Sequence, residues 1–262
     1  MRRIGRTLFG LTLATVLMAG AARADGEAPV RIGFLEFPPF SYLDAQQHPQ
    51  GSMLAFARRL AEQARLDVEL TPYPPARLYH NLATGTTELT LGATGNPAIS
   101  AHVLTGREVI GWIDLRLYYR TGQAAPQLPQ GLRGKRLLLI HGFTYWAPEA
   151  RQLLDDPSLQ LRLSKAHGHE AAIELLQRGR NDYLLAYQPP IEEALAHSGG
   201  ASLQGITLHS LPVSLLLSRH SPRAVELLAR LEKAYAELKA SGELQQWRQR
   251  MHLRTEQQAT DY

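Results

Sequence analysis

The 262 residues include no cysteine, which excludes disulfides, thiolate catalysis and cysteine-ligated zinc together. Stability must come from burial, and the chain is long enough for one sizeable core or two smaller ones. Beyond residue 24 no apolar run approaches the roughly 20 residues that a membrane helix requires. The chain also lacks a nucleophile–base pair, a phosphate-cradling glycine loop and a dinucleotide fingerprint. These absences narrow the catalytic classes without naming a ligand.

An excess of positive charge exists only on paper. The chain carries 28 basic and 24 acidic residues. Arg2, Arg3, Arg6 and Arg23 all fall in the first 24 residues, which contain no acid. That segment has a basic start, an apolar stretch from Leu8 to Met18, and small residues at Ala22 and Ala24, the pattern of a secretory signal peptide cleaved after Ala24. The expected mature chain is formally neutral, so nucleic acid is not an expected partner. A soluble product in a periplasm-like compartment is expected.

Strand-like and helix-like segments then alternate. Val30 to Leu35 is β-prone and closes at Pro38-Pro39. From Ser52 to Ala64, the residues Leu54, Ala57, Leu60, Ala61 and Ala64 share one helical stripe. Leu66 to Leu70 alternates with period two, Ala76 to Thr84 is helical up to Gly85, and Leu89 to Leu91 is a short strand. After a Pro- and Gly-containing connection from Gly122 to Gly134, the alternation returns. Strands are expected at Arg136 to Ile140, Gln160 to Leu163 and Tyr183 to Ala186, and helices at Pro148 to Leu154 and His169 to Arg178. Val213 to Ser218 reads as a further strand. Ser221-Pro222 is expected to cap a helix reaching Lys239, and Glu243 to Met251 is a last helix before a frayed tail. Alternation of this kind implies parallel sheets covered by helices, with ligands bound at loops beyond the strands' carboxyl ends. Those loops are Glu36 to Tyr42, Gly92 to Ile99, His141 to Tyr145 and Tyr187 to Pro190.

Several stretches carry a resemblance to a known family. They are Arg31-Ile-Gly-Phe-Leu-Glu-Phe-Pro-Pro-Phe-Ser-Tyr42, the helix led by Gly51, Leu82-Ala-Thr-Gly85, Gly92-Ala-Thr-Gly-Asn-Pro97, Gly134-Lys-Arg136, Gly142-Phe-Thr-Tyr145, Gly179-Arg-Asn-Asp182 and the run from Ala236 to Leu244. In this order and spacing the chain resembles the bacterial family 3 extracellular solute-binding proteins, of the type II periplasmic-binding-protein fold. The resemblance implies an α/β architecture of two Rossmann-like lobes joined by a two-strand hinge, closing on a ligand. Lobe 1 is expected at 28–117 plus 213–253, lobe 2 at 122–209, and a flexible tail at 254–262. A monomer is expected, partnered by a membrane ABC permease or a sensor protein.

Carried over by position, the family's pocket falls on Phe37 and Phe40 for ring contacts, Thr94 for a hydroxyl, and Gly142 with Thr144 for backbone N–H and hydroxyl donors from lobe 2; Asn96 and Phe143, in the same loops, are further candidate ligand contacts. Two departures matter more. The arginine that clamps an amino-acid carboxylate in the family is Ile99 here, and the aspartate that pairs with the ammonium is Tyr187. An α-amino acid in the usual pose would then bury poorly paired charges, at a cost of several kcal/mol. The expected ligand is a small molecule other than a standard α-amino acid. Arg77 is the expected substitute cation, ahead of Arg107 and Arg120. The aromatic set including Phe143 and Tyr187 suits a flat apolar or cationic ligand. His141, His167 and His169 lack the spacing of a metal site, and no metal or other cofactor is expected. The competing class is an enzyme on the same fold, dehydratase-like or cell-wall lytic, with Glu36 or Glu149 as general acid. The expectation is nevertheless a non-enzymatic binding protein.

Overall fold

A computed structural model describes residues 27–199, 202–251 and 253–254. The proposed signal peptide lies outside the described residues. The elements run β1 (Val30–Phe34), β2 (Tyr42–Leu43), β3 (Pro49–Gln50), α1 (Ser52–Gln63), β4 (Val68–Pro72), α2 (Pro75–Thr84), β5 (Leu89–Ala93), β6 (Val103–Thr105) and β7 (Gly111–Arg120). They continue β8 (Arg136–Ile140), α3 (Pro148–Leu154), β9 (Arg162–Ala166), α4 (His169–Gln177), β10 (Tyr183–Tyr187), α5 (Gln188–His197), β11 (Leu203–Ser218), α6 (Ala224–Ala240) and α7 (Glu243–Met251).

One continuous sheet runs β4-β1-β5-β11-β7-β10-β8-β9, with β6 added beside β11. In lobe 1, β1 pairs in parallel with β4 and β5. In lobe 2, β8 pairs in parallel with β9 and β10. The strands buried from both faces are the apolar ones, such as Leu-Leu-Leu-Ile in β8 and all five residues of β10, as expected of parallel strands covered by helices.

Two long antiparallel strands, β7 and β11, join the lobes. The carboxyl half of β11 pairs with β5 (Val213 to Leu217), whereas its amino half pairs only with β7, whose residues Leu115 to Tyr118 also pair with β10. A register shift interrupts the β7–β11 ladder between Thr207 and His209. The buried Asp114 sits there, accepting hydrogen bonds from Ser210 Oγ (2.6 Å) and Thr207 Oγ1 (3.5 Å) and forming an ion pair with Arg254. Arg254, which opens the segment expected to fray, also bridges Trp112. Residues 255–262 lie outside the described residues.

Three expectations need correction. The loop expected at Tyr187 to Pro190 is the start of α5: its prolines occupy the first helical turn, where no intrahelical N–H is needed. The strand expected from Val213 begins at Leu203. Ser221 does not cap α6, which starts at Ala224. Its hydroxyl instead donates to Glu88 Oε1 (2.8 Å).

Candidate functional site

The loop after β1 folds back on itself, with Phe37 N donating to Ser41 O (2.7 Å) and Phe40 N donating to Phe37 O (2.9 Å). The first amides of α1 complete this turn. Ser52 N donates to Pro39 O (3.1 Å), and Met53 N and Leu54 N donate to Phe40 O (2.9 and 3.3 Å). The loop thereby caps the helix with its own carbonyls. Gly51 permits the approach, since a Cβ there would lie 2.3 Å from Phe40 O and its φ is 118°. The result fixes Phe37 and Phe40 beside the ends of β1 and β5.

After β5, the buried Asn96 shapes the next loop. Its Oδ1 accepts from Ala98 N (3.0 Å), and its carbonyl accepts from Ile99 N and Ser100 N (3.1 and 2.9 Å). This Asx turn delivers Ile99, only 3% exposed, into an apolar cluster with Leu78, Leu82, Val103 and Leu216. From lobe 2, Tyr187 at the end of β10 donates its hydroxyl to Thr144 O (2.9 Å) and lies parallel to Tyr145, with ring centres 6.2 Å apart. Tyr145 in turn accepts from Ile140 N (2.8 Å).

These loops enclose a cavity of about 110 Å³ between the lobes. Its walls include Phe37, Phe40, Tyr79, Asn96 and Ile99 from lobe 1, and Phe143, Thr144, Trp146 and Tyr187 from lobe 2. The walls touch each other. The Phe37 ring centre lies 5.9 Å from that of Phe143 and 5.8 Å from that of Tyr187, and Tyr79 Oη lies 3.4 Å from Thr144 Oγ1. Ring contacts of this kind contribute about 0.5–1.5 kcal/mol each. Among the described residues, no Asp, Glu, Lys, Arg or His lines the cavity. Burial raises the pKa of Tyr187, and neighbouring Tyr79 and Tyr145 add to the rise. Burial also raises that of Tyr79, partly offset by hydrogen bonds to Thr144 and Asn96. Both phenols are therefore neutral hydrogen-bonding groups at physiological pH.

The structure brings together six of the residues expected at the site: Phe37, Phe40, Asn96, Phe143, Thr144 and Tyr187. It does not bring Arg77, Thr94 or Gly142 to the cavity wall. Arg77 is exposed on α2, where Leu78 and Tyr79 face the cavity. Residues 77 and 79 are about 200° apart around a helix, so they do not share a face. Thr94 donates its N–H to Pro212 O (2.9 Å), leaving Gly92 and Ala93 at the wall. Gly142 lines a separate groove of about 290 Å³ at the cleft mouth with Glu36, Tyr73, Pro75 and His141.

The two nominated carboxylates also lie away from the cavity. Glu36 Oε1 accepts from Leu43 N (3.0 Å), and Glu149 Oε2 lies 2.8 Å from Nδ1 of His209. Arg107 faces Glu232, and Arg120 donates to the carbonyls of Leu176 and Asn181. His141 and His167 meet as tilted rings with centres 4.4 Å apart, while His169 packs on Phe143. Among the described residues no three potential metal ligands converge. Trp146, one of the aromatic set expected to suit a flat ligand, also lines the wall, whereas sequence reasoning missed Tyr79. The signal for Tyr79 was its place beside Leu78 on a helix beginning at the cleft.

A sequence profile of the bacterial extracellular solute-binding proteins, family 3, matches residues 30–253. A search among curated proteins returned no significant match. Among solved structures, a histidine kinase sensor domain with similarity to periplasmic binding proteins superposes with a TM-score of 0.71 at 17% identity, covering 87% of this chain and 97% of that one. The arginine-, lysine-, histidine-binding protein ArtJ from Geobacillus stearothermophilus gives 0.69 at 16% identity, covering 87% and 97%. An ancestral amino-acid-binding protein, AncCDT-1, described as a precursor of cyclohexadienyl dehydratase, gives 0.66 at 16% identity, covering 84% and 93%. At these identities the likeness concerns the fold.

Proposed function

The chain belongs to the bacterial extracellular solute-binding proteins, family 3, and from that premise we propose that it is a non-enzymatic periplasmic receptor enclosing a small molecule between its lobes. The ligand is not a free α-amino acid held by its charges. Ligand contacts are assigned to the six residues that meet at the cavity, together with Tyr79. Lobe 1 is taken as 28–117 plus 213–253 and lobe 2 as 122–209. The closed form is what a membrane partner reads, either an ABC permease or a sensor protein.

The observation that carries this reading is a cavity walled from both lobes and lined, among the described residues, by no ionised side chain. Phe37 of lobe 1 meets Phe143 and Tyr187 of lobe 2, so a ligand seated beside them touches both lobes at once and adds contacts that an open form would lack. Such differential contacts shift an open–closed equilibrium. The enzyme alternative calls for a carboxylic acid beside the bound molecule, and neither Glu36 nor Glu149 lines this cavity.

The test is native mass spectrometry of the protein purified from its producing cell, followed by unfolding, removal of the released solute, refolding and re-addition. A retained small molecule that restores thermal stability when returned chemically unchanged supports the receptor role. Tyr187→Ala should weaken its binding at least about tenfold, in line with the loss of a central aromatic contact, whereas Arg77→Ala should leave it unchanged. A solute released in altered form, or equal affinity in Tyr187→Ala, would overturn the assignment.

A further inference from the structure

We propose that the ligand is uncharged and built on a single planar ring bearing one neutral hydrogen-bonding group; this deepens the receptor reading above and rests on it. Three features of the cavity lead there.

The first is electrostatic. The positions expected to hold a charged ligand present Ile99 and Tyr187, Arg77 is exposed away from the wall, and no other ionised side chain among the described residues lines it. A carboxylate or ammonium placed there would exchange its hydration for aromatic rings and aliphatic chains, and an unpaired buried charge is the costliest outcome available. The second is shape. Phe37, Phe143 and Tyr187 have mutual ring-centre separations of 5.8–5.9 Å, the spacing at which aromatic rings attract one another by edge or offset contact. The space of about 110 Å³ beside them is of the order of the ~150 Å³ apolar cavity known to accept benzene. At about three-quarters of that volume it leaves room for no more than one ring and a small substituent.

The third is a polar corner. Tyr79 Oη, Thr144 Oγ1 and the Asn96 side chain lie together on the wall. The Tyr79–Thr144 contact is long, at 3.4 Å, so both hydroxyls can turn toward an inserted donor or acceptor. A neutral amide, hydroxyl or carbonyl satisfies this corner, and a hydrocarbon does not.

The probes are three rings of nearly equal size: benzamide, benzoate and benzylammonium, titrated calorimetrically into the full mature protein freed of endogenous solute. Benzamide should bind at least about 100-fold more tightly than either ion, the factor expected from a desolvation difference of about 3 kcal/mol. Tyr79→Phe, which keeps the ring, should weaken benzamide about fivefold while leaving toluene unchanged. Benzoate or benzylammonium binding as well as benzamide would overturn the uncharged assignment. Equal loss of benzamide and toluene in Tyr79→Phe would overturn the polar corner.

The identity of the solute retained in native mass spectrometry separates the two levels. A charged retained solute, restoring stability unchanged, overturns this inference and leaves the receptor reading standing. An uncharged ring compound supports both. No retained solute together with no binding of any probe overturns both.

Discussion

Glu88 gives the sharpest quantitative test of what holds lobe 1 together. It opens the turn into β5, yet its side chain is 2% exposed. The carboxylate accepts from Arg223 Nε and Nη2 (2.9 and 2.8 Å), from Ser221 Oγ (2.8 Å) and from Arg31 N (3.2 Å). Arg223 also donates to the carbonyls of Ala28 and Pro29, so this one acid ties the start of β1 to the start of α6. Burial alone would raise its pKa, but the hydrogen bonds and the Arg223 charge outweigh that and lower it from 4.5 to about 2. Between those values the unfolded chain binds more protons than the folded one, so stability rises with pH. The contribution is complete above about pH 5 and is lost as pH falls through about 2. Its size is about 3 kcal/mol, at 1.36 kcal/mol for each tenfold change in proton affinity. Urea unfolding of the wild type and Glu88→Gln at pH 7, 5, 3 and 2 measures it. The variant should be about 3 kcal/mol less stable at pH 7 and pH 5, with the gap closing steadily toward pH 2. A gap below about 1 kcal/mol at pH 7, or one independent of pH, would refute the assignment.

Other consequences follow from the same geometry. Asp114→Ala removes the buried acid that joins both crossing strands to Arg254, and it should cost about 3–5 kcal/mol by chemical denaturation; a loss under 1 kcal/mol would mean the ion pair is immaterial. Gly51→Ala forces a Cβ against Phe40 O at a φ of 118°, so a loss of about 2–3 kcal/mol is expected, together with weaker solute binding as the Phe37–Ser41 turn shifts. Unchanged stability would contradict the turn's proposed tie to α1. His169, half-buried beside Phe143, has its pKa lowered by desolvation to about 4. It therefore favours folding fully only above its ordinary 6.5 and loses that advantage as pH drops toward 4. An NMR titration of its imidazole should show a midpoint near 4, and a midpoint near 6.5 would contradict the packing.

How much of this was legible in the sequence depends on whether the cause was local. Strands such as β8 and β10 announce themselves as short apolar runs, and α1 as an apolar stripe after glycine. α5 was hidden because Pro189 and Pro190 read as a loop, although a helix tolerates proline in its first turn. The amino half of β11 was hidden because its residues are largely half-buried and its partner β7 lies far away in sequence. At the site, Ile99 and Tyr187, the residues expected where a charged ligand would be gripped, both reach the wall. The misplaced Arg77 and the missed Tyr79 share one cause. Which face of α2 meets the cavity is set by packing of Leu78 and Leu82 against Leu216, a contact spanning most of the chain. Ser221 likewise reads as a helix cap until the fold brings Glu88 within reach of both Ser221 and Arg223.

The account stands most directly on where the solute lies, and a crystal structure of the protein with its retained solute would show it. Density for a ring among Phe37, Phe143 and Tyr187, with a polar substituent within hydrogen-bonding distance of Tyr79 or Thr144, is the expected result. Density elsewhere, such as in the groove beside Glu36 and His141, or a charged solute paired with Arg77, would contradict it.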